Sequence, residues 1–167
     1  MASLRTIFDD LVRLETLMWN GIDARMKQEC DLPLGFFKAL LVIDSTPSCR
    51  VQDLASALAV TVGGASQGVD RMARAGLCVR QANPTDRRSS LVRLTPEGRR
   101  RLKCADETFD RGLSDLFGPL AAADLQVLGP ALAALRGVVE PPRAQEAPEA
   151  PGHRFTGRVA PEISEKR

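Results

Sequence analysis

Apolar residues recur at helical spacing over most of the first 139 positions, and only two short stretches are compatible with strands. Ile7, Leu11, Leu14, Met18 and Ile22 follow at steps of four, three, four and four, which predicts an amphipathic helix from about Leu4 to Glu29. Asp31-Leu-Pro-Leu interrupts it, and Pro33 suits the opening turn of a second helix. That helix carries Phe36, Phe37, Leu40, Leu41 and Ile43 and stops before Ser45-Thr46-Pro47-Ser48. Two short helices follow, over about Val51–Leu58 and Val62–Ala75, joined by a tight turn at Ala59-Val60-Thr61. Together they describe a helix-turn-helix. Gly76 stands where a C-terminal cap is favoured.

The strand-compatible pieces are Leu77–Gln81 and Ser90–Leu94. Between them Asn83-Pro-Thr-Asp-Arg-Arg combines turn formers with charge, so the pair predicts a β-hairpin with a basic tip. Thr95 as N-cap and Pro96 as first helical residue then open a long helix reaching about Phe117. Gly98, Leu102, Ala105, Phe109, Leu113 and Leu116 lie along one of its faces. Gly118-Pro119 ends it. A last helix, about Ala122 to Val139, aligns Leu125, Leu128, Leu132, Leu135 and Val138. From Glu140 on, five prolines in 28 residues and few large apolar groups predict a disordered tail over 140–167. The predicted order is α-α-α-α-β-β-α-α, a mainly α chain with a small β-hairpin wing.

Charge changes this picture only when it is located. The 167-residue chain has 23 Lys and Arg against 21 Asp and Glu, a net +2 that says little about partners. Residues 70–103, however, hold ten basic side chains and three acidic ones, a net +7. Residues 1–69 carry −2, residues 104–139 carry −3, and the tail is balanced. Positive charge gathered between acidic flanks is the footprint of a phosphate-binding surface, and equally of a solvated helix face with acidic neighbours.

Other classes of function find no support. No stretch approaches the roughly 18–20 uninterrupted apolar residues of a membrane span, so no membrane partner is expected. Arg5, Asp9 and Asp10 near the start do not suit a secretory signal, and the protein reads as cytoplasmic. Cys30, Cys49, Cys78 and Cys104 are widely spaced and the sole histidine is His153 in the tail. Neither a metal site nor a disulfide framework is expected, and no cofactor is implied. With no nucleophile–base pair and no phosphate loop, an enzyme is not expected.

Leu54-Ala55-x-x-Leu58-x-Val60, Val69-Asp70-Arg71-Met72, Gly76-Leu77, Asp86-Arg87-Arg88 and Leu94-Thr95-x-x-Gly98 occur in the order and spacing of the MarR family. These are the multiple-antibiotic-resistance-type bacterial transcription regulators, and the resemblance runs from about residue 7 to 139. It implies one domain over 1–139. Residues 48–94 would be a winged helix-turn-helix, and 4–45 and 96–139 dimerisation and linking helices. It also implies an obligate homodimer on double-stranded DNA with a pseudo-palindromic operator, most often as a repressor released by a small ligand. The amphipathic terminal helices fit a dimer, since alone they would leave much apolar surface.

On this analogy the helix over Val62–Ala75 reads the major groove, presenting Thr61, Gly63, Ser66 and Gln67. Gln67 suits a bidentate contact to adenine, and Ser66 a base edge or a phosphate. Arg71 and Arg74 fall further along and suit phosphate or an internal carboxylate. Gly63, Gly64 and Gly68 stand where the family has bulkier residues, implying either a loosely formed helix start or close backbone approach to DNA, and Gln67 stands where Arg is frequent. In the wing, Asp86 would pair with one arginine and free the other for the minor groove, Arg88 before Arg87. Met18, Trp19, Ile22, Phe36, Phe37 and Phe109 are candidates to line a cleft for a small aromatic ligand, or ordinary core residues. Two alternatives stand beside this reading. One is a thiol-based redox sensor, with Cys49 singled out because neighbouring Arg50 would lower its pKa. The other is a winged-helix protein-interaction module that does not bind DNA.

Overall fold

A computed structural model describes residues 3–84, 86 and 89–140. In chain order the elements are α1 (Leu4–Cys30), α2 (Leu34–Ser45), α3 (Val51–Ala57), α4 (Val62–Arg74), β1 (Cys78–Ala82), β2 (Ser90–Leu94), α5 (Pro96–Phe117) and α6 (Ala122–Val139). This is the predicted order, with helix and strand ends within one residue of their expected places, β1 beginning at Cys78 rather than Leu77. The predicted tail lies outside the described residues apart from Glu140.

Two compact units divide the described chain, 3–32 with 103–140, and 33–102. The second holds α2, α3, α4, the hairpin and the first turns of α5. Its core comes from the positions that periodicity marks: Leu40 and Ile43 of α2, Leu54 and Ala55 of α3, Ala65, Val69 and Met72 of α4, and Leu91, Val92 and Leu94 of β2 are all buried. A buried aliphatic side chain of this kind stabilises by roughly 1.5–3 kcal/mol. The strands pair antiparallel from Cys78 opposite Leu94 to Ala82 opposite Ser90. Arg50 adds a bridge to Leu91, and the Val92 N–H donates to the Cys49 carbonyl at 2.7 Å, so the residues before α3 extend the wing by a short third segment.

Local chemistry sets the breaks. Helix α1 stops because Asp31 turns left-handed (φ 48°), which lets the Leu32 N–H reach the Met26 carbonyl. Gly76 takes φ +72°, the conformation its lack of a Cβ permits, and turns the chain from α4 into β1. Gly98 answers a different need. A Cβ there would lie 2.0 Å from the Leu77 carbonyl oxygen, so only glycine lets the first turn of α5 approach β1 this closely.

In the first unit α1 and α5 meet through paired side chains. Arg25 binds Asp115 at 2.5 Å and Glu29 at 2.9 Å, and Arg111 binds Glu29 at 2.6 Å. The two guanidiniums hold the Glu29 carboxyl below its ordinary range. Helix α6 is different: none of its residues is buried. By length and composition it is apolar enough to cross a membrane, which qualifies the expectation that no such segment exists. Asp124, Gln126, Pro130 and Arg136 interrupt it.

Candidate nucleic-acid interface

Helix α4 and the hairpin share the second unit, and the sequence of α4 decides which of its faces is inside. Ala65, Gly68, Val69 and Met72 are buried, whereas Gly63, Gln67, Asp70 and Arg74 are exposed at steps of four, three and four. The exposed face therefore carries a carboxamide at its middle and a guanidinium near its end.

Not every residue expected on that face is free to leave it. The Thr61 oxygen accepts the Gly64 N–H at 3.1 Å, so this side chain is the N-cap of α4. Ser66 is half-buried, and its hydroxyl and carbonyl oxygens both accept from Arg80 Nη2, at 3.1 and 3.3 Å. Arg71 is also half-buried. Arg74 donates Nε to the Asp70 carbonyl at 3.3 Å while its side chain stays exposed. Gly63 is open, with no atom within 4 Å of an added Cβ.

Arg80 was counted only as one charge among ten, and its position is the main thing sequence reasoning missed. From β1 it donates Nε and Nη2 to Asp70 Oδ1 at 3.1 and 2.9 Å, and Nη1 to the Ser90 hydroxyl at 3.2 Å. One side chain thus ties α4 to both strands of the wing. Asp70, the carboxylate on the exposed face of α4, is engaged by Arg80. At the start of α5, Arg100 and Arg101 both pair with Glu97, whose carboxyl they hold low. Arg93, Arg99 and Lys103 remain exposed.

Arg87 and Arg88 lie outside the described residues, so the expected pairing of Asp86 with one of them does too. Around Asp86 itself the Ser89 N–H donates to its carbonyl at 3.2 Å, and Asn83 Nδ2 donates to the Ser89 hydroxyl at 2.8 Å, closing the base of the loop.

The ligand-pocket candidates separate. Met18, Trp19, Ile22 and Phe109 belong to the first unit, Phe36 and Phe37 to the second. Phe37 is fully buried and Ile22 nearly so, which makes them core residues rather than cleft walls. Trp19 is 40% exposed, so its N–H needs no internal partner. Phe36 borders a cavity of about 10 Å³ between α2, α3 and α4, closed by Leu58, Gly68 and Met72. That holds at most a water.

The redox candidate is corrected outright. Cys49 is buried, and burial together with the Asp53 carboxylate pushes its thiol up to about 11. Arg50, expected to lower it, points its guanidinium at Asp53, 3.6 Å away. A thiol of that kind is protonated at neutral pH and weakly nucleophilic.

Residues 32–90 match the model of the MarR family. No curated protein sequence matches the chain. Among solved structures the chain is similar to Sco3205, a MarR family transcriptional regulator from Streptomyces coelicolor in complex with DNA. The TM-score is 0.77 at 19% identity, covering 88% of this chain and 96% of that one. It is also similar to the transcriptional repressor CouR bound to a 23-mer DNA duplex (TM-score 0.69, 26% identity, covering 75% and 88%). CouR from Rhodococcus jostii RHA1 bound to p-coumaroyl-CoA gives a TM-score of 0.68 at 20% identity, covering 81% and 92%.

Proposed function

Because the chain carries a MarR-family domain across residues 32–90, we propose that it is a cytoplasmic, sequence-specific DNA-binding regulator of transcription. It acts as a homodimer over residues 1–139, and as a repressor that a small ligand releases. The observation that carries this reading is the solvent face of α4, with Gly63, Gln67 and Arg74 exposed in the same unit as the wing, at the start of and just before the stretch 70–103 of net +7. A helix of 13 residues is about 20 Å long, enough to lie in a major groove about 12 Å wide. Gln67 would take a base edge there. Arg74 and the exposed cations of the wing and of early α5 would meet phosphates, with Arg88 or Arg87 at the minor groove.

The dimer follows from the apolar faces of α1 and α6, which a second copy would cover. Two copies of α4 would then read half-sites about one helical turn apart, hence a pseudo-palindromic operator. CouR is bound to DNA in one structure and to p-coumaroyl-CoA in another, which supports a small ligand for this chain, although the six aromatic and apolar candidates name no compound.

Selection of bound sequences from a random DNA pool by the full chain tests the reading. An enriched two-fold motif is expected, with affinity falling steeply as salt rises. Gln67→Ala should change which sequences are preferred more than it changes overall affinity, and Arg74→Ala should lower affinity for all sequences and flatten the salt slope by about one. Unenriched DNA, or unchanged affinity after joint replacement of Arg87 and Arg88 by alanine, counts against the reading and against the wing respectively.

A further inference from the structure

The end of α1 and the middle of α5 bring together two thiols that lie 74 positions apart in the chain. Cys30 is the last residue of α1 and is buried; its Sγ lies 3.3 Å from the Thr108 hydroxyl. Cys104 sits one helical turn before Thr108 on the same face of α5 and is exposed, and the neighbouring Cys30 thiol is the first influence that raises its pKa. The Glu29–Arg111 pair, 2.6 Å apart, fastens the two helices beside this spot. The other two cysteines are placed differently. Cys49 bonds to the Arg50 carbonyl and Cys78 to the Val69 carbonyl, both are buried, and burial raises both thiols to about 11.

We propose that Cys30 and Cys104 form an oxidisable dithiol, which a hydroperoxide converts to an intrachain disulfide linking α1 to α5. This site is separate from the DNA-reading face and does not rest on it. Cys104, the exposed partner, is the one a small oxidant meets. Its sulfur, as the thiolate, attacks the outer oxygen of the hydroperoxide. The O–O bond breaks, the alcohol leaves, and Cys104 becomes a sulfenic acid. The Cys30 sulfur, shielded from solvent and held one turn away beside Thr108, then attacks the Cys104 sulfur. The S–O bond breaks and the oxygen leaves as water. Two thiols lose two protons and two electrons, and one hydroperoxide becomes one alcohol and one water.

The groups facing the pair set its pace. Cys30, then Glu107, push the Cys104 thiol above its ordinary range, and the Arg111 guanidinium opposes them; Glu29 on α1 is engaged by Arg25 and Arg111. The thiolate is therefore scarce at neutral pH, and oxidation needs excess hydroperoxide or rising pH.

The test is to treat the full chain with excess tert-butyl hydroperoxide, unfold it in a thiol-alkylating reagent, and map peptides by mass. Two of the four thiols should become unavailable and reappear on reduction, in one peptide pair joining Cys30 to Cys104. Cys104→Ser, an exposed change whose folding circular dichroism verifies, should leave Cys30 fully alkylatable after the same treatment. Four free thiols, a Cys104 sulfinic acid with Cys30 still free, or a Cys104–Cys104 link between chains would each overturn the proposal. So would loss of the Cys30 thiol in the Cys104→Ser protein.

Discussion

Helices α4 and α6 have similar raw materials, alanine, glycine and aliphatic residues at helical spacing, and opposite fates. In α4 the apolar positions Ala65, Val69 and Met72 are buried against its own unit, the polar face is left out, and Thr61, Gly76 and Arg80 fasten both ends and the middle. In α6 no residue is buried, and Val127 and Val138 are 71% and 83% exposed. The first half of α1 resembles α6, with Leu4, Ile7, Phe8, Leu14 and Leu17 exposed. Exposed apolar side chains in such number are what the proposed dimer would cover. One helix buries its apolar face within its own chain; the other leaves that face exposed.

The sharpest way to break that contrast is to charge the exposed helix. Replacing Leu132 and Leu135 together by aspartate should convert dimer to monomer in sedimentation and lower operator affinity by about 100-fold or more, near 2.7 kcal/mol. Unchanged association would mean that α6 is not an interface. The second unit should instead fail from within. Gly98→Ala forces a methyl into the Leu77 carbonyl and should cost about 2 kcal/mol or more in urea unfolding. Arg80→Ala should cost about 1 kcal/mol, since the Asp70 pair is partly exposed, yet weaken specific DNA binding more than nonspecific binding. Gly63→Ala gives the smallest effect. With open space around the site it should stabilise by about 0.5–1 kcal/mol. If affinity for DNA falls nonetheless, the backbone at Gly63 approaches the duplex closely; if it rises, the glycine loosens the start of the helix.

Much of this fold was legible because local rules agree. The steps of three and four predict α1, α5 and α6, the Gly76 cap ends α4, and Thr95-Pro96 begins α5 within a residue of the observed start. The spacing Thr95-x-x-Gly98 was legible as a pattern, whereas its cause, contact with Leu77, needs coordinates. Side-chain partnerships were not legible. Arg80 reaches Asp70 only because the chain doubles back through Gly76, and no count of charges distinguishes it from Arg74. Adjacency misled at Cys49: its sequence neighbour Arg50 turns to Asp53, and the backbone before α3 is drawn onto the wing by Leu91 and Val92. Thr61 was assigned outward although its type and place before a helix are those of a cap. The approach of Cys30 to Thr108, one turn from Cys104, had no signal in spacing at all.

The meeting of Thr95 with the end of α4 has a mechanical consequence. The Thr95 N–H donates to the Leu77 carbonyl at 3.1 Å, and its hydroxyl lies 2.6 Å from the Gly76 carbonyl oxygen while accepting the Gly98 N–H at 2.9 Å. With no side chain between Gly98 and Leu77, the junction has no slack to absorb a displacement. A tilt of the first turn of α5 is therefore delivered to the end of α4 as by a rigid lever, and two copies of α4 would keep or lose their spacing with it.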